Sequence, residues 1–416
     1  MREANRSMRV AMISPLPPEK PGEALYTTRL IEALAKNRDI EIVAIGGPAS
    51  RPLNIPGANV ETAPIWKSRS LLYPLTLWRF IRKRRVHLVH VQFGPHGAVY
   101  GGMFGEVMLF LLLLLRYTGT KTTVTSHSTW TIEQVKVRIK EKLKLSVFPF
   151  LAPAIFGIFM KLLDWGTDTI QLSTVRLDSA LKQTFLNEFG YDPNKVVEIP
   201  HPCAGVERIQ SREEAMKRLG VTNKKIVLVF GFIRRDKGIH LAMEAIKTLR
   251  KNDPNILLLV AGKPFDMDGR VYLQELLKLQ KDNGLFENVR FDTAYISKEM
   301  IPVYFSAASI ILAPYTESVG ASGPLHEACG YGTPIVASEA GVHIREALGG
   351  NVVIFDQEDV DDLREKLEYI LTNKSFDQEI RAKLLKYAEK ETWDKAAERT
   401  IAYYRKTLGI GENPRE

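Results

Sequence analysis

Short apolar runs alternate with helical patterns along most of the chain, and this alternation constrains the fold more than any other feature. RVAMISP (9–15) is followed by a Pro/Gly loop and the amphipathic ALYTTRLIEALAKN. EIVAIGG (41–47), VHLVHVQF (86–93), KTTVTSH (121–127), DTIQLS (168–173) and KVVEIP (195–200) continue the series. Strands separated by helices form a parallel sheet with both faces covered, because every crossover carries the chain back over one face. The pattern then restarts with KKIVLVFGF (224–232), the helix IHLAMEAIKTLRKN, NILLLVAGK (255–263), NVRFDTA (288–294), IILAPY (310–315) and PIVAS (334–338). A further helix is expected near 270–283, and another opened by Ser297 as N-cap. The 416 residues exceed one ordinary core and suit two domains of about 200 residues each. The seam is expected within 201–222, giving doubly wound α/β domains over 1–205 and 206–392 and a helical, charged tail. In such sheets ligands bind beyond the carboxyl ends of the strands.

The composition, 45% hydrophobic and 25% charged, is that of a soluble globular protein. Two distant cysteines, Cys203 and Cys329, make neither a disulfide framework nor a zinc cluster, so a reducing cytoplasm is expected. MREANRSMRVAMISP lacks the apolar core of a signal peptide. The net charge of +9 suits phosphates, nucleic acid or an anionic membrane surface. Without a helix-turn-helix, zinc-finger or RRM pattern, nucleic acid is not the expected partner.

Two apolar runs raise the question of a membrane. VMLFLLLLL (107–115) is too short to span one and reads as a helix buried against a sheet. LSVFPFLAPAIFGIFMKLL (145–163) is interrupted by Pro149 and Pro153 and contains Lys161. VKVRIKEKLKL, just before it, carries Lys136, Arg138, Lys140, Lys142 and Lys144 against Glu141. Cations followed by apolar surface are the pattern of a segment lying in a membrane interface, so 130–163 is read either that way or as a solvated face plus a core helix.

Two loops carry the chemistry. GFIRRDKG (231–238) follows a strand and crowds Arg234, Arg235 and Lys237 ahead of a helix. Cations at a helix N-terminus suit a diphosphate. The GxxxxGK[ST] spacing of a P-loop is absent. ESVGASGPLHEACGYGTPIV (317–336) places Glu317 and Glu327 around a bend of small residues. Gly320, Ser322 and Gly323 let a ligand approach the backbone, and Pro324 suits the first helical position. Glu327, one turn in, can accept hydrogen bonds from a diol or simply complement the helix dipole.

These residues resemble the retaining GT-B glycosyltransferases, especially glycosyltransferase family 4. ESVGASGPLHEACGYGTPIVAS is similar to that family's paired-glutamate signature, and GFIRRDKG to its basic glycine loop. SPLPPEKPGEALYTTRLIEAL, VTSHS, VVEIPHPC and WDKAAERTIAYYRKTL resemble further segments in the same order. The resemblance implies two Rossmann-like domains facing an interdomain cleft, with the closing helix, 393–410, returning to the first domain. It implies a nucleotide-sugar donor such as a UDP- or GDP-sugar, no metal or other cofactor, and a glycan or lipid-linked acceptor bound by the first domain. Lys237 would bind the diphosphate, Glu327 the ribose hydroxyls, and Ser322, Gly323 and Leu325 the donor. His127 and Glu317 would flank the transferred sugar, and Gly22 would shape the first loop.

Three positions depart from the family pattern. Phe232 stands where an arginine is expected, so Arg234 or Arg235 would replace it. Val319 stands where the first glutamate falls by spacing, with Glu317 two residues early. Gly22–Glu23 replaces a glycine pair. A nucleotide-sugar-binding scaffold without catalysis is the alternative, and a basic nucleic-acid binder the third.

Overall fold

The computed structural model describes residues 7–19, 22–68, 70–95, 97–142, 151–173, 180–204, 211–317, 322–341 and 348–410. The chain divides into two compact units, Met1–Pro200 with Trp393–Glu416, and His201–Thr392.

The first unit holds strands β1 (Met8–Ile13), β2 (Ile40–Ile45), β3 (Val60–Ala63), β4 (Leu88–Phe93), β5 (Lys121–Ser126), β6 (Thr169–Ser173) and β7 (Val196–Ile199). They form one parallel sheet in the order β3-β2-β1-β4-β5-β6-β7. Successive strand residues serve opposite layers. Val10 and Met12 pack with the Gly22–Leu34 and Trp393–Leu408 helices through Tyr26, Leu30, Ile401 and Tyr404. Ala11 and Ile13 pack with the opposite layer, which draws on the Tyr73–Arg84, Glu106–Tyr117 and Ala152–Gly166 helices. Burial on both faces is why these strands read as unbroken apolar runs. The leucine-rich run behaves the same way: Met108, Leu111, Leu112 and Leu115 are fully buried on the Glu106–Tyr117 helix. No helix among the described residues is long and apolar enough to cross a membrane.

The second unit repeats the winding with β8 (Lys225–Phe230), β9 (Ile256–Ala261), β10 (Val289–Asp292), β11 (Ile310–Ala313), β12 (Ile335–Ser338) and β13 (Val353–Phe355). The order is β10-β9-β8-β11-β12-β13, again parallel. In each unit the chain reverses direction across the sheet at one central pair, β1/β4 and β8/β11, and this opens a crevice beyond the carboxyl ends of that pair.

Two details differ from the sequence reading. The edge strands β3 and β13 were not anticipated, since VETA and VIF are too short to show a period. Ser297 does not cap a helix: the helix runs Ile301–Ala307 with Met300 at the N-cap position. The Ser297 carbonyl instead accepts from the N–H groups of Met300 and Ile301, closing the preceding turn, and Pro302 fixes the first helical turn.

Candidate functional site

In the second unit the loops after β8 and β9 run side by side because two glycines let their backbones touch. Gly231 has φ 124° and Gly262 φ 146°. A Cβ on Gly262 would lie 1.9 Å from the Gly231 carbonyl oxygen. The Ile233 N–H donates to the Lys263 carbonyl at 3.0 Å. The chain then makes a turn over Arg235–Lys237 and enters the Ile239–Leu249 helix through Gly238, at φ 59°. Gly238 is wedged so that a Cβ would lie 1.8 Å from the Pro314 carbonyl oxygen. The Thr316 N–H donates to the Asp236 carbonyl at 3.0 Å. The basic turn is thereby clamped to the exit of β11, across the crevice.

That clamp aims Lys237. Its Nζ lies 3.6 Å from the centroid of the Tyr315 ring. The Tyr315 hydroxyl in turn lies 3.0 Å from Ser322 Oγ. Ser322 occupies the N-cap position of the Gly323–Gly330 helix, but its hydroxyl makes no capping bond to that helix. Gly323 is exposed, and among the described residues nothing lies within 4 Å of the Cβ position it lacks. Pro324, in the first turn, approaches within 3.6 Å of the Cβ position of Gly231. A cation and the positive end of a helix therefore converge on one crevice, a combination suited to a phosphate.

The other expected residues are distributed as follows. Glu327 is buried on the same short helix, and so is Leu325, a core residue whose N–H donates to the Ser322 carbonyl. Glu317 is exposed at the end of the β11 loop; Val319 and Gly320 lie outside the described residues. Arg234 forms a bidentate pair with Asp236 and lies over the Phe265 ring, 5.6 Å from its centroid. Burial alone would raise the Asp236 carboxyl, but the Arg234 hydrogen bonds and the Lys237 charge outweigh it and hold it below the usual carboxylate range. Arg235 points the other way, onto the Met267–Asp282 helix, with hydrogen bonds of 2.8 and 2.6 Å to Glu275. It is thus not gathered with Lys237.

An aromatic pair at this end of the sheet escaped the sequence reading. Phe232 and Phe265 meet edge to face at 5.2 Å, with Lys263 Nζ 5.8 Å from the Phe232 ring and Phe265 half exposed. The readable signal was an aromatic in each of two consecutive loops after strands, GFI and KPF.

In the first unit His127 directly follows β5. Its N–H donates to the Phe93 carbonyl at 2.9 Å, and its Nε2 lies 2.8 Å from Gln92 Oε1. Its ring meets Tyr26 edge to face at 4.6 Å. Tyr26 belongs to the helix that begins at the exposed Gly22, so His127 and the first turn of that helix lie at the same end of the sheet. His90 is fully buried, and burial lowers its imidazole to about 3, so it is neutral. His201 stacks on the buried His326 at 4.1 Å in the second unit.

Known proteins resemble this chain in fold and in the sequence of the second unit. Residues 211–391 match the family described as Glycosyl transferases group 1. The chain is 25% identical to spore coat protein SA of Bacillus subtilis over 57% of its own length and 62% of that protein. It is 29% identical to the D-inositol 3-phosphate glycosyltransferase of a Nocardioides species over 53% of its length and 50% of that protein. The matches thus span about half to three fifths of these relatives. HepE of Anabaena, solved in complex with UDP and glucose, superposes with a TM-score of 0.70 at 13% identity, covering 96% of this chain and 100% of that one. The two parallel, Rossmann-like sheets of this chain and this likeness give it the GT-B fold, and the unit that holds Lys237 and Glu327 is a Glycosyl transferases group 1 domain.

Proposed function

We propose that the chain is a retaining glycosyltransferase that moves a sugar from a nucleotide sugar, such as a UDP- or GDP-sugar, to a glycan or lipid-linked acceptor. The observation that carries this reading is Lys237, held over Tyr315 beside the open N-terminus of the Gly323–Gly330 helix. The likeness to HepE, solved with UDP and glucose, supports a nucleoside diphosphate sugar as donor.

In the reaction the C1–O bond to the diphosphate breaks. Positive charge grows on the sugar ring and negative charge on the leaving phosphate. Lys237 and the N–H groups near Gly323 stabilise the leaving group, supplying the positive charge without a metal ion. Arg234 adds to that field while Asp236 holds its orientation. Glu327 accepts hydrogen bonds from the ribose hydroxyls, the Phe232–Phe265 pair offers a face to the base, and Glu317 flanks the sugar. In the first unit, Gly22 lets the first loop approach a ligand at the end of the sheet where His127 lies. Retention follows when the acceptor attacks from the face the diphosphate leaves, and no protein nucleophile enters the step.

A thermal-shift panel of UDP, GDP, ADP and dTDP with their sugar conjugates tests the donor site. A nucleotide at a hundred times its Kd contributes roughly 2.7 kcal/mol. One nucleotide class should stabilise the wild type and lose that effect in Glu327→Ala, which keeps its unliganded Tm. Equal stabilisation of both proteins would remove Glu327 from the site, and donor binding without turnover or hydrolysis would favour a non-catalytic scaffold.

A lipid-linked acceptor at the inner face of the cytoplasmic membrane is favoured by the Ala152–Gly166 helix. Leu151, Ile155, Ile158, Leu162 and Trp165 are all exposed and fall on one face at alternating spacings of four and three. The opposite face, Phe156, Phe159, Met160 and Leu163, is buried in the core. Arg116 lies 5.2 Å from the Trp165 ring, Lys161 is exposed in the same helix, and the basic Ile132–Lys142 helix packs alongside. Residues 143–150, including Lys144 and Pro149, lie outside the described residues. An apolar stripe edged by cations fits an anionic bilayer surface. Vesicles containing anionic lipid should pellet the protein even in high salt. Ile158→Asp/Leu162→Asp should weaken pelleting by more than tenfold, since each apolar side chain contributes roughly 1.5 kcal/mol or more when buried. Complete release of the wild type at modest salt would reduce the contact to charge attraction.

A further inference from the structure

A continuous chain of hydrogen bonds links His127 to the Trp393–Leu408 helix through the interior of the first unit. His127 Nε2 lies 2.8 Å from Gln92 Oε1. Gln92 Nε2 lies 3.1 Å from His90 Nε2 and 3.3 Å from Met12 Sδ. His90 Nε2 also lies 2.6 Å from Thr125 Oγ1, and His90 Nδ1 lies 2.5 Å from the Tyr404 hydroxyl. Gln92, His90, Thr125, Met12 and Tyr404 are all fully buried.

Donor and acceptor roles along this chain are interdependent. An amide offers a donor on one side and an acceptor on the other, and so does a neutral imidazole. Met12 breaks the tie. A thioether accepts but does not donate, so the Gln92 NH2 group faces Met12 and His90, and its carbonyl faces His127. His90 Nε2 must then be bare, with the Gln92 amide and the Thr125 hydroxyl both donating to it. His90 therefore carries its proton on Nδ1 and donates to Tyr404. At the other end the Gln92 carbonyl accepts from His127, whose proton is thereby placed on Nε2.

We propose that Gln92, oriented by Met12, His90 and Tyr404, is a positioning residue that holds His127 as its Nε2–H tautomer. A part for that tautomer in turnover rests on the glycosyltransferase reading; the tautomer does not. The closing helix takes part through Tyr404, because its hydroxyl is the acceptor for the proton that His90 carries on Nδ1. Removing that hydroxyl lets His90 shift its proton to Nε2, which turns the Gln92 amide over and moves the His127 proton to Nδ1.

The test is long-range 1H–15N NMR on the full-length protein labelled with 15N-histidine. Its eight histidines are assigned by single substitution. The wild type should show His127 protonated on Nε2 and bare on Nδ1. Tyr404→Phe, which keeps the ring packing, and Gln92→Leu should both convert His127 to a mixture or to the Nδ1–H form. Tyr404→Phe should also lower kcat about tenfold, the worth of one hydrogen bond, with the donor KM nearly unchanged. An Nδ1–H tautomer in the wild type, or a tautomer unmoved in both variants, overturns the proposal. Wild-type turnover by His127→Ala would remove the tautomer's part in turnover, whatever the tautomer proves to be, and leaves the donor-site test with Glu327→Ala to judge the glycosyltransferase reading separately.

Discussion

Lys237→Ala is expected to lower kcat by about 10²–10³-fold, the typical loss when one preorganised donor to a developing negative charge is removed. The expectation rests on placement. Gly238 lodges against the Pro314 carbonyl, Thr316 bonds to Asp236, and Nζ stands 3.6 Å from the Tyr315 ring centroid. On the proposed reading the charge is held before the reaction begins, so no reorganisation is needed as a diphosphate leaves. Arginine is not a conservative replacement, because its guanidinium presents a rigid fork of donors where lysine presents a compact point charge. Steady-state kinetics with the donor identified by thermal shift provide the check. A wild-type kcat in Lys237→Ala would eliminate this residue as the leaving-group stabiliser.

Gly262→Ala is expected to destabilise the second unit by roughly 3 kcal/mol or more, in the range reserved for backbone collisions and strain. At φ 146° an alanine is strained, and its Cβ would be driven to 1.9 Å from the Gly231 carbonyl oxygen. Both partners are backbone, so no side-chain rotation relieves the contact. For a domain of this size the fall in Tm should be roughly 6 °C or more. Gly284→Ala is the control. It also has positive φ, 59°, but among the described residues nothing lies within 4 Å of its Cβ position. It should cost only about 1 kcal/mol, the left-handed backbone penalty. Equal losses in the two variants would show that backbone conformation, not the contact between loops, sets the cost. Residual folded Gly262→Ala should also bind donor nucleotide weakly, since the pressed loop leads to Lys237.

The strands that were legible were those long enough to show an apolar run, the edge strands β7 and β10 among them. RVAMISP and NILLLVAGK are apolar on both faces, and burial on both faces leaves a mark that local reading detects. β3 and β13 span only four and three residues, VETA and VIF, too short to show a period. Ser297 misled for a related reason. A serine before a helical pattern satisfies the local rule for a cap, but Pro302 starts the helix later, and the serine carbonyl is used instead.

Side-chain direction was harder to read. Arg234, Arg235 and Lys237 are equivalent as a basic cluster in sequence, yet they part company in space. Lys237 faces Tyr315, Arg234 is tied to Asp236, and Arg235 bonds to Glu275, forty positions away. Gln92 and Tyr404 gave no local signal, because a buried polar residue in a strand and a tyrosine on a helix are each ordinary in isolation.

The sequence by itself determined the two doubly wound sheets, the helices between them and the loops where a ligand should bind. It did so because hydrophobic period, glycine and proline act over a few residues. Only the tertiary structure decided which cation aims at the crevice, which aromatic rings meet beside it and how His127 is held. Those outcomes depend on contacts between residues distant in sequence, such as Lys237 with Tyr315 and His90 with Tyr404, and no local pattern encodes a distance between two separate elements.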